Sequence, residues 1–551
     1  MLFRSRNGRS TTFAGLVTAC SLSGSNSTGV VYLVKLESPL AYLALKTDYR
    51  VFQTVTAPTE AANVYQTITG YTPATSLTAN YSVHQSLTQY GETSLNFFSR
   101  LLENEGVFYF FNQGSSPPSL VLGDNAATYL AAPNSPFTYY GNLNTNVPAG
   151  AEYIQTFQKA SHQSTLTNTV NSYNFESPSA SLLASSNNTE GVGEHYEFGN
   201  DVQSLAYDQQ LAQVRQDLQT TERMMISGSG TAPDLRAGYA FTLTDQSSAG
   251  LGGGYLVTSV QHAGFVRVTN GVSTYFYGNQ FTAIPAALNF RPARVTPKPQ
   301  AQPCAAVVTG PAGETIYTDR YGRVKVQFKW DRYGTLDQNS SAYVRVAMPM
   351  AGSNWGLLFL PHIGDEVLVS FIQGDPDQPV VTGSLYNGVN SVLFPLPGDE
   401  WYSYIAPAGP SGNMIRFNDQ AGSQQLLVQA SKDMAIQVSG TLSVVGSTGI
   451  KLGSSGTAFT NLESGQAILP SPGVGAGIVE TNLTITFPHA FSVAPQIILT
   501  IANDPNFQGV SDVYDACVSS NSTTAFRVNV YRVDANDGWS QNLRINWQAW
   551  Q

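Results

Sequence analysis

From Leu426 to Leu452 the even positions are almost all apolar or small. They are Leu426, Val428, Ala430, Met434, Ile436, Val438, Leu442, Val444, Ile450 and Leu452, with Gly440 and Gly446 as punctuation. Alternation with period two is the signature of strands with one apolar face. Short strands of this kind, broken by glycine, need partners to bury that face. One chain offers too little here to close its own core. Association of several chains around an axis would bury the stripe. An ordinary meander lying on a neighbouring barrel is the alternative.

The rest of the chain sets the context for that stripe. At 551 residues it exceeds one hydrophobic core, so three or four domains are expected. Charged residues make up 12%, about half the usual share of ~25%. Ser, Thr, Asn, Gln and Gly fill the surface instead, as suits β-rich proteins that work outside cells. The net charge of −10 argues against nucleic acid or anionic membrane as the main partner. Cys20, Cys304 and Cys517 are far apart and odd in number. They form neither a disulfide framework nor a zinc spacing, and are expected to be buried or idle thiols. No apolar run reaches membrane-spanning length. The start, "MLFRSRNGRSTTFAG", is basic but has no apolar stretch followed by a cleavage site, so it is not a signal peptide. Export, if it occurs, takes another route.

Residues 1–291 mix strands such as "GVVYLVKLES" and "YAFTLTD" with two predicted helices. The first covers 93–106, with Leu95, Phe98, Leu101 and Leu102 on one face and Gly106 at the C-terminal cap. The second covers about 204–224. Glu103 and Glu105 are read as residues of a solvated helix face. Four prolines in 292–303 mark a linker or extended edge.

Residues 304–390 are expected to form a five-stranded barrel of the OB type. In "RVKVQFKWD", Val324, Val326, Phe328 and Trp330 take one side. Arg323, Lys325, Gln327 and Lys329 take the other. With the aromatic opposite the basic residues, no stacking platform for nucleic acid is expected. Residues 391–456 begin the one-faced strand repeat. Residues 454–472 read as a linker, and 473–551 as a small β-sandwich.

No chemistry emerges from motif spacing. The six histidines form no His-x-x-x-His arrangement, and no Gly-x-Ser-x-Gly elbow or phosphate loop is present. No catalytic residue, metal site or cofactor is expected. "FIQGDPDQPVVTGSLYNG" (371–388) is then turn chemistry: Pro376 and Pro379 fix φ, and Asp375 and Asp377 can accept from backbone amides.

Two resemblances sharpen these expectations. "GETIYTDRYGRVKVQFKWDRYG" and "SSAYVRVAMPMAGSNWGLLFLPHIGDEVLVSFIQGDPDQPVVTGSLYNG" resemble the central barrel of the VgrG family. "LESPLAYLALKTDYRVFQ" and "QYGETSLNFFSRLLENEGVFYFF" are similar to that family's hub, and "GNMIRFNDQAGSQQLLVQASKDM" to the start of its spike helix. The family forms the spike of type VI secretion systems and is kin to contractile phage tail hubs. The resemblance implies a mainly β protein: a hub of β-barrel type, an OB barrel, a short trimeric β-helix and a C-terminal sandwich. It implies a homotrimer that contacts tube and baseplate proteins, with a tip protein or effector as a further partner. The resemblance further implies no membrane anchor, and export without a signal peptide after cytoplasmic assembly. Met434, Ile436, Val438, Leu442, Val444, Ile450 and Leu452 would form the trimer core. Family members usually begin with more hub sequence before "TTFAGLVTACSL", so a late start is expected here, with truncation, divergence and a fragment as the alternatives. Their spikes are also often longer.

"ITFPHAFSVAPQIILTI", "STTAFRVNVYRV" and "INWQAW" resemble the H-type lectin domain, although Ala525 stands where that family often has Gly. The resemblance implies a trimeric module that binds surface glycans. Asp504, Asn506, Arg532, Asp534 and Trp539 combine the hydrogen-bonding groups and the aromatic that a sugar ring needs. A trimeric cap that binds nothing is the alternative.

Overall fold

The computed structural model describes residues 2–4, 10–26, 29–115, 118–141, 147–148, 150–245, 250–269, 272–409, 411–446, 450–451, 458–459, 462–471, 473–474, 480–502, 513–533, 538–539 and 541–551. The chain divides into two compact units, Met1–Gln429 and Ala430–Gln551. It is mostly β, with four α-helices among the described residues.

In the first unit, strand Tyr239–Asp245 pairs with Phe137–Tyr139 on one side and Gly253–Thr269 on the other. Phe137–Tyr139 leads through Tyr153–Ser161, Met224–Gly230 and Val272–Pro285 back to Gly253–Thr269, so the sheet closes on itself. Phe137, Ile154, Phe157, Phe241 and Phe281 fill it. Alternation places these side chains inward.

Beside this barrel, helices Ala57–Thr69 and Ser94–Glu105 pack on the ribbon of Thr47–Thr56 and Val83–Thr93 around Leu43, Tyr65, Phe97 and Phe98. The second of these helices starts where Thr93 accepts from the Asn96 amide, and ends at Gly106 with φ +71°. A Cβ there would meet Val214 Cγ1 at 2.5 Å. Glycine is therefore demanded by both conformation and space. Helix Leu205–Arg223 buries Leu211 and Val214, while Leu205 stays exposed.

The second closed sheet runs Lys325–Phe328, Cys304–Thr309, Glu366–Phe371, Pro379–Leu385 and Arg345–Val346. A bridge between Val324 and Val344 joins its ends. Val324, Val326 and Phe328 point into its core, and Trp330 stacks on Phe328 with centroids 4.6 Å apart. The strands Tyr402–Ile405, Met414–Asn418 and Gln425–Gln429 then form a three-stranded sheet.

In the second unit, residues 430–446 pair with nothing in a ladder. Two three-stranded sheets follow. One is Leu462–Leu469, Leu543–Trp550 and Gln496–Ala502; the other is Glu480–Thr486, Ala525–Arg532 and Tyr514–Asn521. Phe487, Phe526, Val528, Ile545 and Trp547 are buried in the unit's core. The stretch 454–472, read above as a linker, thus contributes a strand that pairs along its whole length with the last one. Its pattern was hidden by Gly465, whose Cβ would lie 2.7 Å from Trp547 Cζ2. The aromatic needs a bare backbone there.

Candidate functional site

Met434, Ile436, Val438, Leu442 and Val444 are each between 52% and 62% exposed. Leu426 and Val428, in the preceding strand, are also exposed. Isolated exposed apolar side chains are ordinary, but a continuous row with unpaired backbone is not. Covering the five side chains would contribute on the order of 10 kcal/mol per chain at ~25 cal/mol per Å². Ile450 has its backbone paired to Phe459, and its side chain lies outside the described residues, as does Leu452.

A buried charge network joins the hub, the proline-rich segment and the OB barrel within the first unit. His84, on strand Val83–Thr93, sets Nδ1 2.5 Å from Asp201 Oδ2, and its Nε2 lies 3.7 Å from Glu105 Oε1. The Tyr207 hydroxyl donates to the same Glu105 oxygen at 2.6 Å. Glu105 is therefore not on a solvated helix face, as its position suggested; it is 2% exposed and faces partners on other elements. Glu103 also has a structural task. It accepts from the amides of Val295 and Thr296 and from the Thr296 hydroxyl.

The proline-rich segment 292–303 is accordingly strapped down rather than loose. Lys298 Nζ sits 2.6 Å from both Asp375 Oδ1 and Asp377 Oδ2. Asp377 Oδ1 accepts the Thr88 amide at 2.6 Å. Asp375 accepts the Asp377 amide, which closes the turn. The "GDPDQP" turn thus carries the barrel's attachment to the hub as well as its own shape. Arg100 completes the cluster, donating to Glu92 at 2.9 Å and to the Thr88 carbonyl at 2.8 Å. A cavity of about 560 Å³ lies among these groups.

Burial opposes the charge on His84, but the Asp201 carboxylate and the Glu105 contact outweigh it and raise the imidazole to about 10. Burial raises Asp201, and His84 overcomes this and holds it below the usual carboxylate range. The His84 contribution to stability is therefore complete below about pH 6.5 and is lost as pH rises toward 10. The Asp201 contribution is present above its free value near 3.8 and is lost as pH falls below it. We expect the urea midpoint of the protein to drop between pH 6 and pH 9, and the His84→Gln variant to show a flatter dependence over that interval. An equal slope in the variant would show that His84 is uncharged in the fold.

The basic face of the barrel also differs from its expected form. Trp330 is on the opposite face, but Phe175, Tyr321 and Tyr343 converge on Arg323 from elsewhere, with ring centroids 5.1, 5.4 and 5.7 Å from its guanidinium carbon. Only Phe175 comes from outside the barrel, so strand alternation could not reveal the cluster.

Of the sugar-site candidates, Arg532 ends strand Ala525–Arg532. The backbone of Trp539 pairs with Gly473. Asp504, Asn506, Asp534 and the Trp539 side chain lie outside the described residues. Among the described residues, no group of three or more His, Cys, Asp or Glu could hold a metal ion. Cys20 and Cys517 are exposed and Cys304 is half-buried, all as free thiols. Among the described residues no helix is long and apolar enough to cross a membrane.

Comparison with known proteins places these features in a lineage. Residues 2–266 match the family described as the phage tail baseplate hub, and residues 308–386 match the type VI secretion system/phage-baseplate injector OB domain. The Pseudomonas aeruginosa type VI secretion system spike protein VgrG1b is 32% identical over 442 residues, covering 77% of this chain and 59% of VgrG1b. The spike protein VgrG1a of the same organism is 31% identical over 456 residues, covering 78% of this chain and 70% of VgrG1a. The Vibrio cholerae actin cross-linking toxin VgrG1 is 31% identical over 440 residues, covering 76% of this chain and 39% of that protein. The solved E. coli c3393 protein, a component of the type VI secretion system, aligns with TM-score 0.47 and 20% identity, covering 68% of this chain and 84% of that one. The chain spans between about two fifths and seven tenths of these curated relatives. The shared hub, the OB barrel and the match to VgrG1a together establish that this chain belongs to the VgrG family of type VI secretion system spike proteins.

Proposed function

We propose that the chain is a structural hub and spike of a contractile injection system. It assembles as a homotrimer with tube and baseplate proteins of the tail and is exported through the machine itself. The exposed, unpaired stripe at 434–444 carries this reading, because three copies around an axis would both cover the side chains and pair the backbone. The domain division is hub, OB barrel, spike start and C-terminal sandwich. The protein works without catalysis: its turn chemistry at 374–379 holds the barrel to the hub. In cells that carry the remaining tail components, removing the chain should abolish export of tube protein, and restoring it should recover export. Unchanged export without the chain would contradict this role.

The C-terminal unit is proposed to bind a surface glycan, with Asp504, Asn506, Arg532, Asp534 and Trp539 as its contacts. The resemblance of its strands to H-type lectins supports this. Three weak sites in one trimer would gain avidity. A glycan array probed with the full-length protein should show binding that weakens at least tenfold in the Arg532→Ala, Trp539→Ala double variant. No binding by the intact trimer would leave the unit as a folded cap.

A further inference from the structure

A second cavity, of about 320 Å³, opens where the hub meets the OB barrel. That volume is within the range of small-molecule sites. Val51 and Val83 from the hub ribbon and Phe328, Ile372 and Pro379 from the barrel give it an apolar body. Arg323 and Arg345 also line it, beside Phe175. The guanidinium carbons of these two arginines lie 5.1 and 4.8 Å from the centre of the same Phe175 ring.

The charges at this end do not balance. Asp319 holds Arg323 at 2.7 Å. Glu176 is shared between Arg323 at 3.4 Å and Arg320 at 3.5 Å. Among the described residues, Arg345 has no carboxylate partner. Lys325 stands nearby over the Tyr343 ring at 5.0 Å and likewise has none. Asp201 and Asp377 also line the cavity, but each is already engaged, by His84 and by Lys298, so the positive excess is confined to the Arg345 end. Guanidinium groups gathered on one ring attract an anion, and Arg suits a planar, two-oxygen one.

We propose that this cavity binds a small amphipathic carboxylate, with its apolar part against Val83, Phe328 and Ile372 and its two oxygens on Arg345 and Arg323. A free alkyl carboxylate and the C-terminal residue of a peptide share this chemistry. The site needs both the hub and the barrel, so the ligand would brace their junction.

Calorimetric titration of the full chain tests the proposal. Octanoate should bind saturably at one site per chain, and octanamide at least tenfold more weakly, because it lacks the charge. Arg345→Glu should weaken octanoate at least tenfold while leaving the urea midpoint unchanged, since Arg345 is exposed. Arg345→Gln serves as a second variant with the same expected direction, and Ile372→Trp should block the hollow. N-acetyl-leucyl-phenylalanine against its amide identifies the source: tighter binding than octanoate points to a peptide terminus, and weaker binding to a free carboxylate. Equal affinity for octanoate and octanamide, displacement of octanoate by equimolar inorganic phosphate, or unchanged affinity in both Arg345 variants would overturn the assignment.

Discussion

Replacing Ile436 by Asp should convert the protein from three-chain particles into single chains. Ile436 is 62% exposed in one copy, midway along the unpaired stripe. In a trimer its side chain would face the axis, so the substitution places three carboxylates in one apolar core. Each buried, unpaired carboxylate costs several kcal/mol, and the three repel one another. Together with the lost Ile436 contact, that penalty offsets most of the stabilisation, on the order of 10 kcal/mol per chain, that the stripe would contribute. Val438→Asp should act in the same way. Gln437→Asp is the control: Gln437 is exposed and sits at an odd position, on the opposite side of the period-two pattern. Sedimentation of the variants should show the Asp substitutions at 436 and 438 near the 59.1 kDa of one chain and the control at three times that mass.

The second large effect is expected at Lys298. Lys298→Met should destabilise the first unit by about 3–5 kcal/mol, because it leaves Asp375 and Asp377 facing each other without their shared cation. Asp377 is 8% exposed, so solvent cannot take the place of the ammonium group. Adding Asp377→Asn removes the stranded charge while keeping an oxygen for the Thr88 amide. The double variant should therefore regain part of the loss, a coupling that a double-mutant cycle in urea would measure. Additive losses would mean that Lys298 acts through packing alone.

These two sites show what the sequence makes legible. The strand faces of the OB barrel follow directly from alternation, since Val324, Val326 and Phe328 have their burial set by the pleat. The cap at Gly106 is equally local. The stripe at 426–452 announces its need for partners through period two alone. The junction network is different in kind. Asp377 meets Thr88 across 289 residues, and His84 meets Asp201 across 117. A single Asp in a turn or Glu on a helix gives no sign of such a partner, which is why Glu105 read as solvated. Strand Tyr514–Asn521 escaped notice because its sequence, "YDACVSSN", is mostly polar and only lightly patterned. Strand Leu462–Leu469 was hidden by the glycine that Trp547 requires. The sugar-site candidates rest on side-chain types in loops, where no periodic rule applies.

The mass of the full-length protein in solution tests the account most directly. The stripe requires partners, and the proposed hub and spike is built on three of them. Light scattering coupled to size exclusion should give three times the 59.1 kDa chain mass, unchanged on dilution through the micromolar range. A stable, soluble, full-length monomer with the stripe open to water would contradict it.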